Sequence, residues 1–205
     1  MSEIEKLKKL IAFQLPGESA HAQMAPLNRP LSSIAKSKSD NYRESSVAVI
    51  LVNLEKIILI QRPEYEGNHS GQVSFPGGKK EENDQNLFET AIRESQEEIG
   101  IQLPRENYLG KLTPVFIPVS NFHVEAHVFL LHEQPIFLKD DYEVSEIFSV
   151  KITELLDDSK VKYTDMKINR QYTLNNIPYF DLENKIIWGA TALILNELKE
   201  LLKMV

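Results

Sequence analysis

The 205 residues carry 23 Lys and Arg against 30 Asp and Glu, a net charge of −7, which argues against the basic stripe of a nucleic-acid-binding surface. With no cysteine, disulfides, thiol nucleophiles and cysteine-ligated zinc are excluded. No apolar run reaches the roughly 18 residues of a membrane span, and residues 1–6 lack the regions of a signal peptide, so the expectation is a soluble cytoplasmic enzyme with neither nucleic-acid nor membrane partners.

In chain order, residues 3–14 read as an amphipathic helix, with Ile4, Leu7, Leu10 and Ile11 at helical spacing and Pro16-Gly17 ending it. Residues 18–45 are mostly polar and contain Pro26 and Pro30, which predicts an extended arm with loops. That divides the chain into an N-terminal helix and arm, 1–45, and a main domain, 46–205. Residues 46–52 and 56–61 are β-rich runs around Asn53-Leu54-Glu55, a hairpin signal. Residues 72–75 form a short strand feeding Gly77-Gly78. A polar loop follows, then a helix with Leu87, Phe88, Ala91, Ile92 and Ile99 on one arc and Gly100 closing it. Residues 108–119 and 121–132 read as strands; in the second, Phe122, Val124, Ala126, Val128 and Leu130 alternate as in a half-buried strand. A strand over 144–150, a short helix over 151–157, weaker strand signals at 161–165 and 171–180, and a last helix from Trp188 to about residue 202 complete the chain. Strands interleaved with two long helices predict an α/β fold, a mixed sheet packed between helices.

The chemistry concentrates in Arg93-Glu94-Ser95-Gln96-Glu97-Glu98-Ile99-Gly100. Glu94, Glu97 and Glu98 stand at i, i+3 and i+4, where like charges cost about 0.2–0.5 kcal/mol per pair. An acidic run alone is usually a solvated face, but this one straddles the seam between the apolar arc and solvent. A hard divalent cation, Mg2+ or Mn2+, would offset the repulsion through oxygen ligands. Arg93, about 100° from Glu94 on the wheel, is placed to hold a carboxylate or the Gly-Gly loop. Arg29, Arg62, Lys79 and Lys80 are candidate local bases for a polyanionic substrate. His123, Glu125 and His127 share a strand face and offer a zinc-like set, yet residues two apart lie about 7 Å apart along a strand, which disfavours one shared ion.

From Gly78 to Ile101 the chain resembles the Nudix box, G-x5-E-x7-R-E-U-x-E-E-x-G-U with U aliphatic. Ser95 stands at the first U after Arg93-Glu94, the spacing from Gly78 to Arg93 is one residue longer, and Asp84 replaces the single Glu. Gln61-Arg62 and His69-x-Gly71-Gln72-Val73-x-Phe75-Pro76-Gly77-Gly78-Lys79 are similar to the coenzyme A pyrophosphatase branch of that superfamily. Ala20-His21-x-x-Met24-x-Pro26-x-x-Arg29 resembles the leader of bacterial members, and Ile187-Trp188-Gly189-Ala190-Thr191-Ala192 the start of their last helix. The resemblance covers most of residues 18–200.

It implies an α/β/α sandwich with a mixed β-sheet between helices, and Mg2+ or Mn2+ held chiefly by Glu94 and Glu98, with Glu97 completing the set and the Gly78 carbonyl nearby. It implies a further carboxylate from the 140–146 loop, with Glu143 as the favoured base and Glu146 the alternate. His69 and Gln72, with Arg62 and Lys79, would contact substrate; packing or loop capping is the competing role for His69 and Gln72. The implied reaction cleaves coenzyme A or acyl-CoA to 4′-phosphopantetheine and 3′,5′-ADP. Another nucleoside diphosphate derivative, such as ADP-ribose or a dinucleotide, is the alternative substrate, and a non-catalytic binding domain is the alternative class, against which the intact acids count. The N-terminal helix and arm would serve as a homodimer contact or a lid.

Overall fold

The computed structural model describes residues 1–66, 69–167 and 173–205. Helix α1 (Glu3–Phe13) starts on Ser2, whose side chain accepts from the Glu5 N–H while Glu5 accepts from the Ser2 N–H, a reciprocal cap. Its apolar stripe buries Leu7, Leu10 and Ile11. The arm read as extended instead contains two short helices, α2 (Glu18–Gln23) and α3 (Ser32–Lys36). Pro26 and Pro30 fall between these helices, where they interrupt nothing. Glu18 accepts from both the N–H and the hydroxyl of Ser33, folding the arm onto itself.

Strands β1 (Arg43–Val52) and β2 (Lys56–Gln61) form the expected hairpin, turned by left-handed φ values of 53° and 54° at Asn53 and Leu54. Next come β3 (Val73–Ser74), β4 (Gly77–Lys79), helix α4 (Leu87–Ile99), β5 (Tyr108–Lys111), β6 (Val115–Ile117), β7 (Phe122–Leu131), β8 (Glu146–Lys151) and α5 (Ile152–Leu156). The chain ends in β9 (Val161–Lys167), β10 (Thr173–Leu182), β11 (Lys185–Ile187) and α6 (Gly189–Lys203).

The main sheet is mixed. β1 runs parallel to β7 and antiparallel to β2 and β4; β2 also pairs with β3 and β8, and β7 with β5 and β6. Its central strands are covered on both faces, which is why they read as continuous apolar runs. Val49, Leu51, Ile57 and Leu59 pack with α1, α6 and β10 in one core; Ala48, Ile50, Ile58 and Ile60 pack with Ala91 and Ile99 of α4 in the other. The architecture is the α/β/α sandwich expected from the sequence.

Two further elements differ from the expectation. The strand expected over 108–119 divides into β5 and β6 because the Thr113 N–H and hydroxyl donate to Glu197 of α6, at 2.9 and 2.6 Å, and Pro114 has no N–H to offer a ladder. The weak signals near the C-terminus become β9 and β10, which with the unforeseen β11 form a separate three-stranded sheet; positions 171–172 of that expectation lie outside the described residues. No described helix is long and apolar enough to cross a membrane.

Candidate active site

Helix α4 is delimited by local chemistry. Asn86 accepts from the Glu89 N–H at its start, and Gly100 leaves it with φ 73°, a left-handed cap that glycine adopts at no steric cost. With Ala91 and Ile99 against the sheet, Glu94 and Glu98 lie one turn apart beneath β4, 8% and 1% exposed. Glu98 Oε2 accepts from the Gly77 N–H at 2.7 Å. A Cβ on Gly78 would fall 2.5 Å from Glu94 Cδ and 2.6 Å from its Oε2, so the strand passes the carboxylate only because position 78 has no side chain.

The third acid comes from the loop before β8. Leu138 and Asp140 donate their N–H groups to the carbonyls of Ile99 and Glu98, both at 3.0 Å, satisfying acceptors that a helix end leaves free. The Asp140 carboxylate then accepts from the N–H groups of Tyr142 and Glu143, at 2.7 and 3.3 Å, and Ser145 donates its N–H to Gln61 O at 2.9 Å. This stitching brings Glu143 to Glu94 and Glu98, with one ligand atom of each within 4.8 Å of the others. Glu146, the alternate, turns away to Lys185 at 2.8 Å.

Burial pushes Glu94 up to about 7 against the pull of Arg93, and Glu98 up to about 8 against the Gly77 N–H and Arg62; in both, the neighbouring carboxylates raise it further. Such perturbed, mutually facing acids mark functional sites. Their donor set is carboxylate oxygen throughout, two members buried and one exposed, which fits a hard divalent cation and no thiophilic metal.

Arg93 contacts the carboxylates of Asp84 and Glu94 and the end of β4. Its Nε and Nη2 donate to Asp84, at 3.1 and 3.0 Å, and Nη2 also to Lys79 O at 3.0 Å; Nη1 lies 3.0 Å from Glu94. Asp84, in the place of the box glutamate, is held down to about 2 chiefly by these hydrogen bonds, and Thr90 donates to it at 3.0 Å. Glu97 stands outside the close triad: its half-exposed side chain takes Arg93 Nη1 at 2.7 Å.

Of the candidate substrate contacts, Arg62 lies 3.7 Å from Glu98, and its buried Nε has no hydrogen-bond partner among the described residues. His69, with φ 68°, and Gln72 hold each other at 3.0 Å, Nδ1 to Oε1. Lys79 lines a separate shallow depression with Tyr42, Glu44 and Lys80, and Arg29 donates to Phe116 O at 2.9 Å. The zinc-like trio does not converge on one point: Glu125 and His127 pair, Oε2 to Nε2 at 3.4 Å, and each of the three has another partner. His123 meets Lys36 at 3.2 Å, Glu125 meets Lys111 at 2.9 Å, and His127 Nδ1 meets the Tyr108 hydroxyl at 3.1 Å.

Sequence reasoning missed the clamp on Asp84 by Thr90 and the role of Asp140 in shaping the Glu143 loop. Thr90 stands one turn before Arg93 on the same helix face, which was a usable signal. The docking of Asp140 on the end of α4 had none.

A NUDIX domain family matches residues 42–171. The chain is 35% identical over 144 residues to the uncharacterized Nudix hydrolase NudL of Yersinia pestis, covering 70% of this chain and 71% of that one; the NudL of Yersinia pseudotuberculosis matches equally. Among solved structures, the MutT protein of Methanosarcina mazei superposes with TM-score 0.51 at 21% identity, over 78% of this chain and 93% of that one. A MutT/nudix family protein of Enterococcus faecalis gives 0.53 at 14% identity, over 96% and 73%. Those structures share the fold; the family match and the sequence relatives place the chain among the Nudix hydrolases, enzymes that act on pyrophosphate bonds and generally use divalent metal ions.

Proposed function

We propose that the enzyme hydrolyses the diphosphate of coenzyme A or an acyl-CoA, releasing 4′-phosphopantetheine and 3′,5′-ADP, with Mg2+ or Mn2+ as the metal. The observation that carries this reading is the position of Arg62. The residues that resemble the coenzyme A branch begin beside Glu98, with Arg62 3.7 Å from its carboxylate, so the loop that distinguishes the branch borders the acids.

Glu94, Glu98 and Glu143 would hold the metal, with the Gly78 backbone against Glu94. A bound cation would supply charge neutralisation of the diphosphate and a lowered pKa for water. Glu143, the exposed member of the triad, takes the proton of the attacking water. Arg93 keeps Glu94 in place and anchors the loop after β4 through Asp84 and Lys79 O, and its Nη1 also holds Glu97. Arg62, carrying an unused buried N–H, donates to a phosphoryl oxygen. His69 and Gln72 orient the remainder of the substrate.

Product analysis by mass spectrometry tests the reading, with coenzyme A, ADP-ribose and a dinucleotide each incubated with Mg2+ and with EDTA. Metal-dependent appearance of 4′-phosphopantetheine and 3′,5′-ADP, in excess of the other products, is expected. Preferential cleavage of ADP-ribose or the dinucleotide would refute the coenzyme A assignment.

A further inference from the structure

Among the described residues, the sheet of β9, β10 and β11 shares no strand pairing with the main sheet, yet one of its side chains reaches the substrate loop. Glu183 and Asn184 join β10 to β11 with φ of 50° and 57°. Left-handed values at both turn residues fix a tight hairpin register, with Leu182 opposite Lys185. Strand alternation then puts Lys185 on the face of Ile187, which is fully buried, while Ile186 between them is 49% exposed. An ammonium turned inward needs partners. Lys185 Nζ finds Glu146 at 2.8 Å, Gln61 Oε1 at 3.4 Å and the Phe148 ring at 4.9 Å.

Gln61 transmits this contact. Lysine has donors and no acceptor, so it fixes which end of the Gln61 amide faces it, and Nε2 is left to donate to Gly71 O. Gly71 returns its own N–H to Pro63 O at 3.0 Å, and the Arg62 N–H closes the base of the loop on Gln72 O at 3.0 Å. With the amide reversed, its N–H groups would face the ammonium and its oxygen the Gly71 carbonyl, two repulsive contacts in place of two attractive ones.

We propose that Lys185 is a positioning residue for diphosphate hydrolysis: through Gln61 it holds the two ends of the substrate loop together, Arg62 and Pro63 against Gly71 and Gln72, so that Arg62 is presented beside the carboxylate triad. The inference rests on the reading of that loop as substrate-binding. It gives the second sheet a role in the reaction, one that no residue near the Nudix box discloses.

The test compares wild type with K185M, which keeps the stem over Phe148 and removes the donors, with K185R, and with Q61M alone and combined with K185M. For coenzyme A with Mg2+, K185M is expected to raise KM roughly tenfold, the scale of one charge-assisted hydrogen bond, while kcat stays within about threefold. K185R restores most of the loss. The double variant is no worse than the poorer single, because both changes break one linkage. Hydrogen exchange at the Gly71 and Gln72 amides of the substrate-free protein is expected to quicken in K185M and Q61M alike, a readout independent of turnover. Unchanged exchange, or additive KM effects in the double variant, overturns the proposal. Quickened exchange in an enzyme that turns over none of the diphosphates upholds the contact and refutes the substrate reading beneath it.

Discussion

The replacement of Gly78 by alanine isolates the geometry of the carboxylate triad from the stability of the fold. A Cβ there would stand 2.5 Å from Glu94 Cδ and 2.6 Å from Oε2, where ordinary carbon contacts are about 3.5–4.0 Å. The carboxylate must therefore retreat by roughly 1 Å, and a displacement of that size in a catalytic constellation costs on the order of 10²-fold in rate. The obstructed atoms are the end of a flexible side chain, and Gly78, unlike Gly77, has no left-handed φ. Relief by rotation of Glu94 is open, and the stability cost should be about 1 kcal/mol. Gly77→Ala is the contrasting variant: its Cβ would strike Ser46 O and lie 2.6 Å from Val47 Cα at φ 152°, backbone that cannot yield, so it lowers stability as well as rate. Steady-state turnover and thermal unfolding of both proteins, with and without Mg2+, give the comparison. A G78A enzyme within threefold of wild-type kcat would refute the idea that Glu94 must occupy its observed position.

Three further outcomes are expected. Glu98→Gln keeps an oxygen to accept from Gly77 but removes the charge, and kcat should fall about 10³-fold, equivalent to about 4 kcal/mol of transition-state stabilisation; a fall of less than tenfold in a saturating-metal assay would contradict the ligand role. Because Glu94 and Glu98 are raised from 4.5 to about 7 and about 8, the stability that their protonated forms lend the metal-free protein is full below pH 4.5 and is lost as pH rises through 7 and 8. Melting temperature in EDTA should accordingly decline from pH 5 to pH 8, and Mg2+, which binds the ionised carboxylates, should flatten the decline; a profile unaffected by metal would argue against the site. Glu197→Ala strands the N–H groups of Gly17 and Thr113, the Thr113 hydroxyl and His21. Denaturant titration should show a loss of about 3–5 kcal/mol, with kcat of the folded fraction unchanged because α6 and α4 cover opposite faces of the sheet.

Those perturbations also divide what the sequence disclosed from what it withheld. Helix α4, its Gly100 cap and the β1–β2 hairpin were legible because period, cap and turn residues act within a few positions of one another. Glu94 and Glu98 were legible for the same reason, as i and i+4 on the edge of an apolar arc. The helices of the arm were not, since Glu18 meets Ser33 fifteen positions away and Asn196 of α6 reaches Ala20, contacts with no local pattern. Glu97 sits within the same helical turn as the other two acids, but its rotamer is decided by Arg93, and Arg93 is in turn fixed by Asp84 nine positions upstream. Glu143 was reached through family resemblance, and its delivery depends on the Asp140 N–H finding Glu98 O, a tertiary contact with no local pattern. Lys185 carried no signal at all: its inward orientation follows from the register of a hairpin that only the folded chain reveals.

The molecule itself contains the comparison that separates a structural buried acid from a functional one. Glu197 is fully buried; burial raises its pKa, but the hydrogen bonds from His21, Thr113 and Gly17 outweigh that, and the carboxyl lies below its ordinary value. It is satisfied within the fold and asks for nothing more. Glu94 and Glu98 are nearly as buried but short of donors. Glu98 has one backbone N–H and an arginine 3.7 Å away. The arginine beside Glu94 is divided among Glu81, Asp84, Glu94 and Glu97, at 3.9, 3.0, 3.0 and 2.7 Å, and Glu143 adds another negative charge. The two acids are therefore raised where Glu197 is lowered. A divalent cation among the three carboxylates would supply the positive charge that the fold does not. The deficit of donors, more than the acidity of the run, is the argument for the metal proposed at Glu94, Glu98 and Glu143.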